Sequence, residues 1–259
     1  MAANSTESNG RKNYYGIAYG YLSTRTKQLN PDFKEMTEAE LKSNLDKFVA
    51  MDLRKAYVNK GGDYPYQVFY QSVDGEILSI EKRKHEKNGM FFDITVNDKD
   101  NEESIVNCKF YSKYTENFLN RLLNLKEVKN ITIAPYSIIN DSEDKKQKFY
   151  NQGVSLRTLD FITDKRVKVD GRYDSKWMNE NHPTEKITDA DGKEKTSRVK
   201  RIEWLFEQAQ AYLKSFGKKN EHAKSEAVQQ KETPVTPQDE SDLPFVILLL
   251  VSLTAFLPL

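Results

Sequence analysis

Two stretches of this chain place aromatic and basic side chains where they can do chemistry. In one, Val106, Cys108 and Phe110 alternate with Asn107, Lys109 and Tyr111. In the other, Phe92, Ile94 and Val96 alternate with Phe91, Asp93 and Thr95. Successive side chains of a β-strand point to opposite faces. The apolar sets predict a buried face, which leaves Phe91, Lys109 and Tyr111 on the open one. A ring beside a cation on an open strand face suits stacking of planar groups and neutralisation of phosphates, each stacked base contributing about 1–3 kcal/mol. Lys82, Arg83 and Lys84 end a neighbouring strand at the same rim. Arg172, Tyr173, Lys176 and Trp177 form a second aromatic–basic group. The competing readings are that Phe91 and Tyr111 lie under the N-terminal region or a C-terminal helix, and that Trp177 belongs to a satellite core.

Other chemistries find little support. There is no Gly-Lys-Ser/Thr phosphate loop and no dinucleotide glycine cluster. Cys108 is the only cysteine, so neither a disulfide within the chain nor a cysteine-based metal site is expected. His85, His182 and His222 lie far apart. Carboxylates are scattered among lysines in turns, as solvated charges are. The expectation is a protein that is not an enzyme, with no catalytic residue, metal or cofactor.

The elements that must position these residues follow from periodicity. Residues 1–12 read as a disordered arm. Tyr15, Ile17, Tyr19 and Tyr21 alternate along one strand over Tyr14–Thr26, with Arg25 and Lys27 as phosphate contacts if that strand borders the groove. Thr37 and Glu40 form a capping box for a helix reaching about Tyr57. Strands follow over Tyr64–Val73, Glu76–Lys84 after an Asp74-Gly75 turn, Met90–Val96 after an Asn88-Gly89 turn, and Ser104–Tyr111. A short helix at Thr115–Asn124 and strands at Lys129–Ile138 and Phe149–Phe161 complete the set. Three meandering strands, a helix and two more strands predict a mainly β (α+β) domain. Its centre, residues 76–161, is expected to be a five-stranded OB-fold-like Greek-key barrel. Residues 164–197 read as a polar loop. Ser197 caps a helix over Arg198–Phe216, with Ile202, Leu205, Phe206, Ala209, Tyr212, Leu213 and Phe216 as its apolar stripe and Gly217 as its stop. The expected domain is therefore 13–217.

The charge distribution is uneven. The chain has 259 residues and a net charge of +1. Residues 145–219 carry 18 Lys/Arg against 11 Asp/Glu, and residues 220–259 carry 2 against 6. A basic segment before an acidic tail predicts an anionic partner for the body and a protein partner for the tail. Residues 218–242 are polar, contain Pro234 and Pro237, and read as a disordered acidic linker.

The linker ends in Asp239-Glu240-Ser241-Asp242-Leu243-Pro244-Phe245. This tip, with the polar linker before it, resembles that of phage and bacterial single-stranded DNA-binding proteins. The resemblance implies a protein that coats single-stranded DNA in replication, recombination or repair. It also implies that Asp239, Glu240, Asp242, Leu243, Pro244 and Phe245 dock on partner enzymes of those processes. Self-association is compatible with it. The aromatic and basic groups described above supply the expected DNA contacts, Lys82, Arg83, Lys84, Phe91, Lys109, Tyr111, Arg172 and Trp177. Unlike that family's tip, this chain continues past Phe245 to Leu259. The uncharged run 243–259 is near the length of a membrane span, so a tail-anchored protein with a cytosolic binding domain is the alternative. The polar N-terminus has no signal-peptide pattern, and a cytoplasmic setting, in a bacterium or a phage-infected host, is expected unless the anchor holds.

Overall fold

The computed structural model describes residues 12–46, 51–98, 102–141, 148–160, 163–188, 192 and 194–229. The chain divides into two compact units, Met1–Lys219 and Asn220–Leu259. The fold below belongs to the first.

Its centre is an antiparallel meander, β6 (Val73–His85), β7 (Gly89–Asp98) and β8 (Glu103–Lys109). The expected hairpin joins β6 to β7, but its turn is Glu86–Asn88, and Gly89, at φ 81°, is the first residue of β7, opposite His85. Asp74-Gly75 is not a turn. Both residues lie inside β6, and a Cβ on Gly75 would sit 2.3 Å from the Asn97 carbonyl oxygen. Helix α2 (Lys113–Leu122) follows, capped by Ser112, whose hydroxyl accepts from the Thr115 amide at 3.3 Å. Its Phe118, Leu119 and Leu122 are fully buried beneath the sheet. Then come β9 (Ile131–Asp141) and β10 (Lys148–Asp160), with β9 antiparallel to both β10 and the start of β6.

A five-stranded barrel closes on itself, and this sheet does not. The free edge of β8 takes the N-terminal strand β1 (Asn13–Ala18) in parallel, from Asn13↔Ser104 to Gly16↔Asn107. The last strand of the expected barrel, β10, pairs instead with β11 (Lys165–Val169). The stretch Tyr14–Thr26 is a hairpin, not one strand: β1 turns at Tyr19-Gly20 into β2 (Tyr21–Thr26). Strands β3 (Lys34–Glu35), β4 (Ala56–Asn59) and β5 (Tyr66–Tyr70) extend the sheet further. The result is an open mixed sheet of 11 strands, ordered β11-β10-β9-β6-β7-β8-β1-β2-β5-β4-β3. The expected mainly β domain with helices is present, and the closed barrel is overturned. The element order was right, but the parallel position beside β8 is filled by an N-terminal strand lying outside the segment read as the barrel.

Other boundaries also move. Helix α1 (Glu38–Asp46) starts at the expected capping box, where the Thr37 amide donates to Glu40 at 2.8 Å, but β4 occupies part of its expected length. The polar stretch 164–197 holds β11, α3 (Ser175–Asn181) and a small hairpin of β12 (Glu185–Thr188) and β13 (Glu194–Ser197). Helix α4 (Val199–Gln229) runs through Gly217 and into the segment read as linker. Of the expected arm 1–12, residues 1–11 lie outside the described residues, as does the tip 239–245.

The main core gathers Phe92, Ile94, Val106, Phe110, Phe118, Leu122, Ile131, Leu156, Ile202 and Leu205 between sheet, α2 and α4. The predicted inward faces of β7 and β8 are the observed ones. A second core of Leu41, Leu53, Ala56, Val58 and Phe69 lies between α1 and β4–β5.

Candidate functional site

The outward side chains of the meander form cross-strand rows. In the first row, Arg83, Phe91 and Lys109 stand directly opposite one another on β6, β7 and β8. Lys109 Nζ lies 4.4 Å from the Phe91 ring centroid and the Arg83 guanidinium carbon 5.7 Å. His85 meets the same ring edge-on at 6.1 Å. Phe91 is half-buried, and its flanks carry cations. A cation over a ring face is worth about 0.5–1 kcal/mol at exposed sites.

The next row explains why the cations hold their places. Asp93 is buried, with 7% of its surface exposed. It accepts from Arg83 Nε at 2.6 Å and from the Asn107 amide. A buried carboxylate needs such partners. Its hydrogen bond holds the Arg83 pKa above the usual guanidinium value. Lys109 donates to the Asn88 carbonyl, and among the described residues it makes no ion pair. Its charge faces outward, whereas exposed Lys84, paired with Met90, lies on the opposite face of β6.

Beyond Asn107 the floor flattens. Gly16 of β1 lies opposite Asn107 and Ser23 of β2 opposite Gly16. The Ser23 hydroxyl donates to the Gly16 carbonyl at 3.3 Å and accepts from Gln67 Nε2 at 3.2 Å. The polar row therefore runs through Gly16 to Ser23 and ends there, because the residue opposite Ser23 on β5 is the buried Phe69. Sequence inspection missed this part, because Gly16, Ser23 and Gln67 lack a charge or ring that would single them out.

The other expected contacts are placed differently. Lys82 is turned toward α4, its Nζ 2.5 Å from Glu203. Tyr111, 42% exposed, also donates to Glu203. Helix α4 therefore covers part of this rim, which was the competing reading for Tyr111. Trp177 stacks on Tyr173 at 4.2 Å, His182 stacks on Trp204 at 3.8 Å, and the four half-buried rings form one cluster on the α3–α4 side. Tyr173, Trp177 and Trp204 pack against the main core. The Trp177 group is thus a satellite of the core, apart from Phe91. Arg172 is exposed, and its backbone amide donates to the Asn120 carbonyl. Arg25 is spent on the Tyr64 and Gly61 carbonyls, both at 2.6 Å, while Lys27 lies 4.9 Å from the Tyr64 ring centroid.

Metal ligands are not clustered: among the described residues no group of three or more His, Cys, Asp or Glu is placed to hold an ion. Burial pushes the Cys108 thiol up to about 11. No family model, curated protein or solved structure matches the chain. The open 11-stranded sheet gives no support to the closed-barrel single-stranded DNA coat expected from the tip resemblance, and that assignment is withdrawn. Its alternative gains no support either. Among the described residues no helix is long and apolar enough to cross a membrane, and the run 243–259 lies outside them.

Proposed function

We propose that this chain is a non-catalytic binding module that holds an anionic ligand on the outer face of β6, β7 and β8. The observation that carries this reading is the row Arg83–Phe91–Lys109. A ring flanked by two cations, one from each neighbouring strand, presents charge in a fixed geometry. The cations are organised from below by the buried Asp93 and by the Asn88 carbonyl. Lys109 has no carboxylate among the described residues to neutralise it, so a ligand anion completes its coordination. No nucleophile–base pair accompanies the face, which favours holding over turnover.

The test is titration of the purified full chain with two anionic polymers, inorganic polyphosphate and polyglutamate, at low and high salt. Binding to at least one polymer should weaken as salt rises, because exposed charges are screened. Lys109→Gln should weaken binding while leaving melting unchanged, since Lys109 is exposed. Phe91→Leu should also weaken it, by removing the ring face over which the two cations sit. Absence of binding to both polymers at low salt, or affinity indifferent to both substitutions, rejects the reading.

A further inference from the structure

On the same sheet, at its far edge, two cationic residues stand opposite one another. Arg157 of β10 and Lys168 of β11 are directly opposite in the antiparallel ladder. Their neighbours Leu156 and Val169 are also paired and are buried on the core side, so Arg157 and Lys168 share the outer face. Both are exposed. Directly opposed residues have Cβ atoms about 4.5–5.5 Å apart, and like charges so placed destabilise a sheet.

The surroundings do not relieve the repulsion. Neither residue makes an ion pair among the described residues. Arg166 lies on the same face of β11, two residues from Lys168, and it takes up the nearby carboxylate: its guanidinium is 3.2 Å from Asp74 and donates to the Asn130 carbonyl at 3.2 Å. The residue opposite Arg157 on β9 is Thr132, whose hydroxyl donates to the same Asp74 at 2.6 Å. Asp74 is thus engaged by Arg166 and Thr132. A lysine on an edge strand can serve to block edge-to-edge pairing. That role accounts for Lys168 but not for Arg157, which stands on the inner strand β10 and faces it.

We infer that Arg157 and Lys168 form a seat for a phosphate-type dianion, separate from the Arg83–Phe91–Lys109 row. A planar guanidinium suits two oxygens of a tetrahedral anion, and the ammonium supplies a third contact. The anion turns a repulsive pair into two charge-assisted contacts. The same chemistry is offered by free phosphate and by phosphoryl groups carried on a polymer.

The experiment is thermal melting of the full chain in inorganic phosphate, in polyphosphate and in chloride at matched ionic strength, with calorimetric titration of inorganic phosphate as the direct measure. Phosphate or polyphosphate should raise the melting temperature above that in chloride. A larger effect of polyphosphate at equal phosphorus concentration would identify the polymer-borne group as the better source, and an equal or smaller effect the free ion. Arg157→Gln and Lys168→Gln should each lower phosphate affinity about tenfold, the scale of one charge-assisted hydrogen bond. Lys168→Gln lies on the exposed edge and should fold. In chloride it should melt no lower than the parent chain, because it removes a repulsion. Lys109→Gln should keep the phosphate effect, so this seat is tested independently of the proposed function. The inference is overturned by the lack of any phosphate-specific shift or heat, or by an effect that survives both Arg157→Gln and Lys168→Gln.

Discussion

Tyr111 donates its hydroxyl to Glu203 Oε1 at 2.5 Å, and the same carboxylate oxygen accepts from Lys82 Nζ. This three-way contact ties the ends of β6 and β8 to α4. Beneath it, Phe206 of α4 packs edge-on against Phe110 at 5.2 Å. The aromatic and the basic residue that sequence inspection assigned to an open groove thus help to seat a helix.

The first prediction follows from that contact. Tyr111→Phe removes the hydroxyl and leaves the ring. Hydrogen bonds to charged groups are worth roughly 1.5–3 kcal/mol when buried. This one is partly solvated, so the expected loss is only about 0.5–1 kcal/mol. The Lys82 pKa, raised chiefly by its hydrogen bond to Glu203, should fall toward the ordinary lysine value in Glu203→Gln. Urea unfolding measures the first effect and side-chain NMR titration the second. A Lys82 pKa that does not move in Glu203→Gln would refute the pairing.

Arg201 carries a heavier load. Its side chain is 7% exposed, and it binds Glu116 at 3.0 Å, the His182 carbonyl at 2.7 Å and Asn179 at 2.9 Å. It therefore joins α4 to α2 and α3. Removing one partner of a buried ion pair typically costs about 3–5 kcal/mol, because the other charge is left unsatisfied. Arg198 also reaches Glu116, at 3.3 Å, and compensates in part. Arg201→Ala should therefore destabilise by about 2–4 kcal/mol, read as a lower urea midpoint. A loss within about 0.5 kcal/mol, as for an ordinary surface substitution, would show that the network adds nothing.

Local order was legible where strands alternate cleanly. Phe92, Ile94 and Val96, with Val106, Cys108 and Phe110, were assigned inward from period alone, and all are buried. The capping box Thr37–Glu40 was equally plain, and the Asn88-Gly89 signal marked the β6–β7 hairpin although the turn itself is Glu86–Asn88. Pairing was not legible, because period 2 fixes a face but not a neighbour. Nothing in Asn13–Ala18 announces that it lies parallel to β8. The Asp74-Gly75 dipeptide carries a turn signal, yet Gly75 is there because Asn97 approaches too closely for a side chain. The polar stretch 164–197 hid β11, whose alternation of Lys165, Val167 and Val169 with Arg166 and Lys168 is masked by its charge. At the candidate site the row Phe91–Lys109 was foreseen. Asp93, which anchors Arg83, was not, since a lone carboxylate on a strand looks like a solvated charge until its burial is seen.

Cys108 gives a pH prediction. The thiol is buried, lies 3.2 Å from the Thr115 hydroxyl, and has its pKa pushed by burial from 9.0 up to about 11. The folded state therefore holds this proton more tightly than the unfolded state. Its contribution to stability is fully present below the unfolded pKa and is lost as pH rises through the folded one, between about 9 and 11. Cys108→Ala should flatten the fall in stability across that window, beyond any uniform offset. In the native chain at pH 8 alkylation by iodoacetamide should be slow and should speed up in urea. Rapid native alkylation, or identical pH slopes in the two proteins, would contradict the burial.

The turn between β1 and β2 gives the sharpest structural prediction. Tyr19 and Gly20 both have positive φ, 57° and 82°, the conformation that suits a two-residue hairpin loop. Gly20 also lies against β9. A Cβ there would be 2.4 Å from the Ser137 backbone nitrogen and 2.9 Å from the Tyr136 carbonyl carbon. Two costs then combine in Gly20→Ala. The left-handed backbone costs about 1–2 kcal/mol for a residue with a Cβ, and the clash with backbone atoms costs about 1–3 kcal/mol more. Gly61 separates the two effects. Its φ is 66°, but nothing lies within 4 Å of the added atom. Gly61→Ala should therefore lose only the backbone part, about 1–2 kcal/mol. Urea unfolding of the two variants side by side should show Gly20→Ala as clearly the less stable, because only there must a strand move aside. Equal losses at the two glycines would mean that the turn does not press on β9.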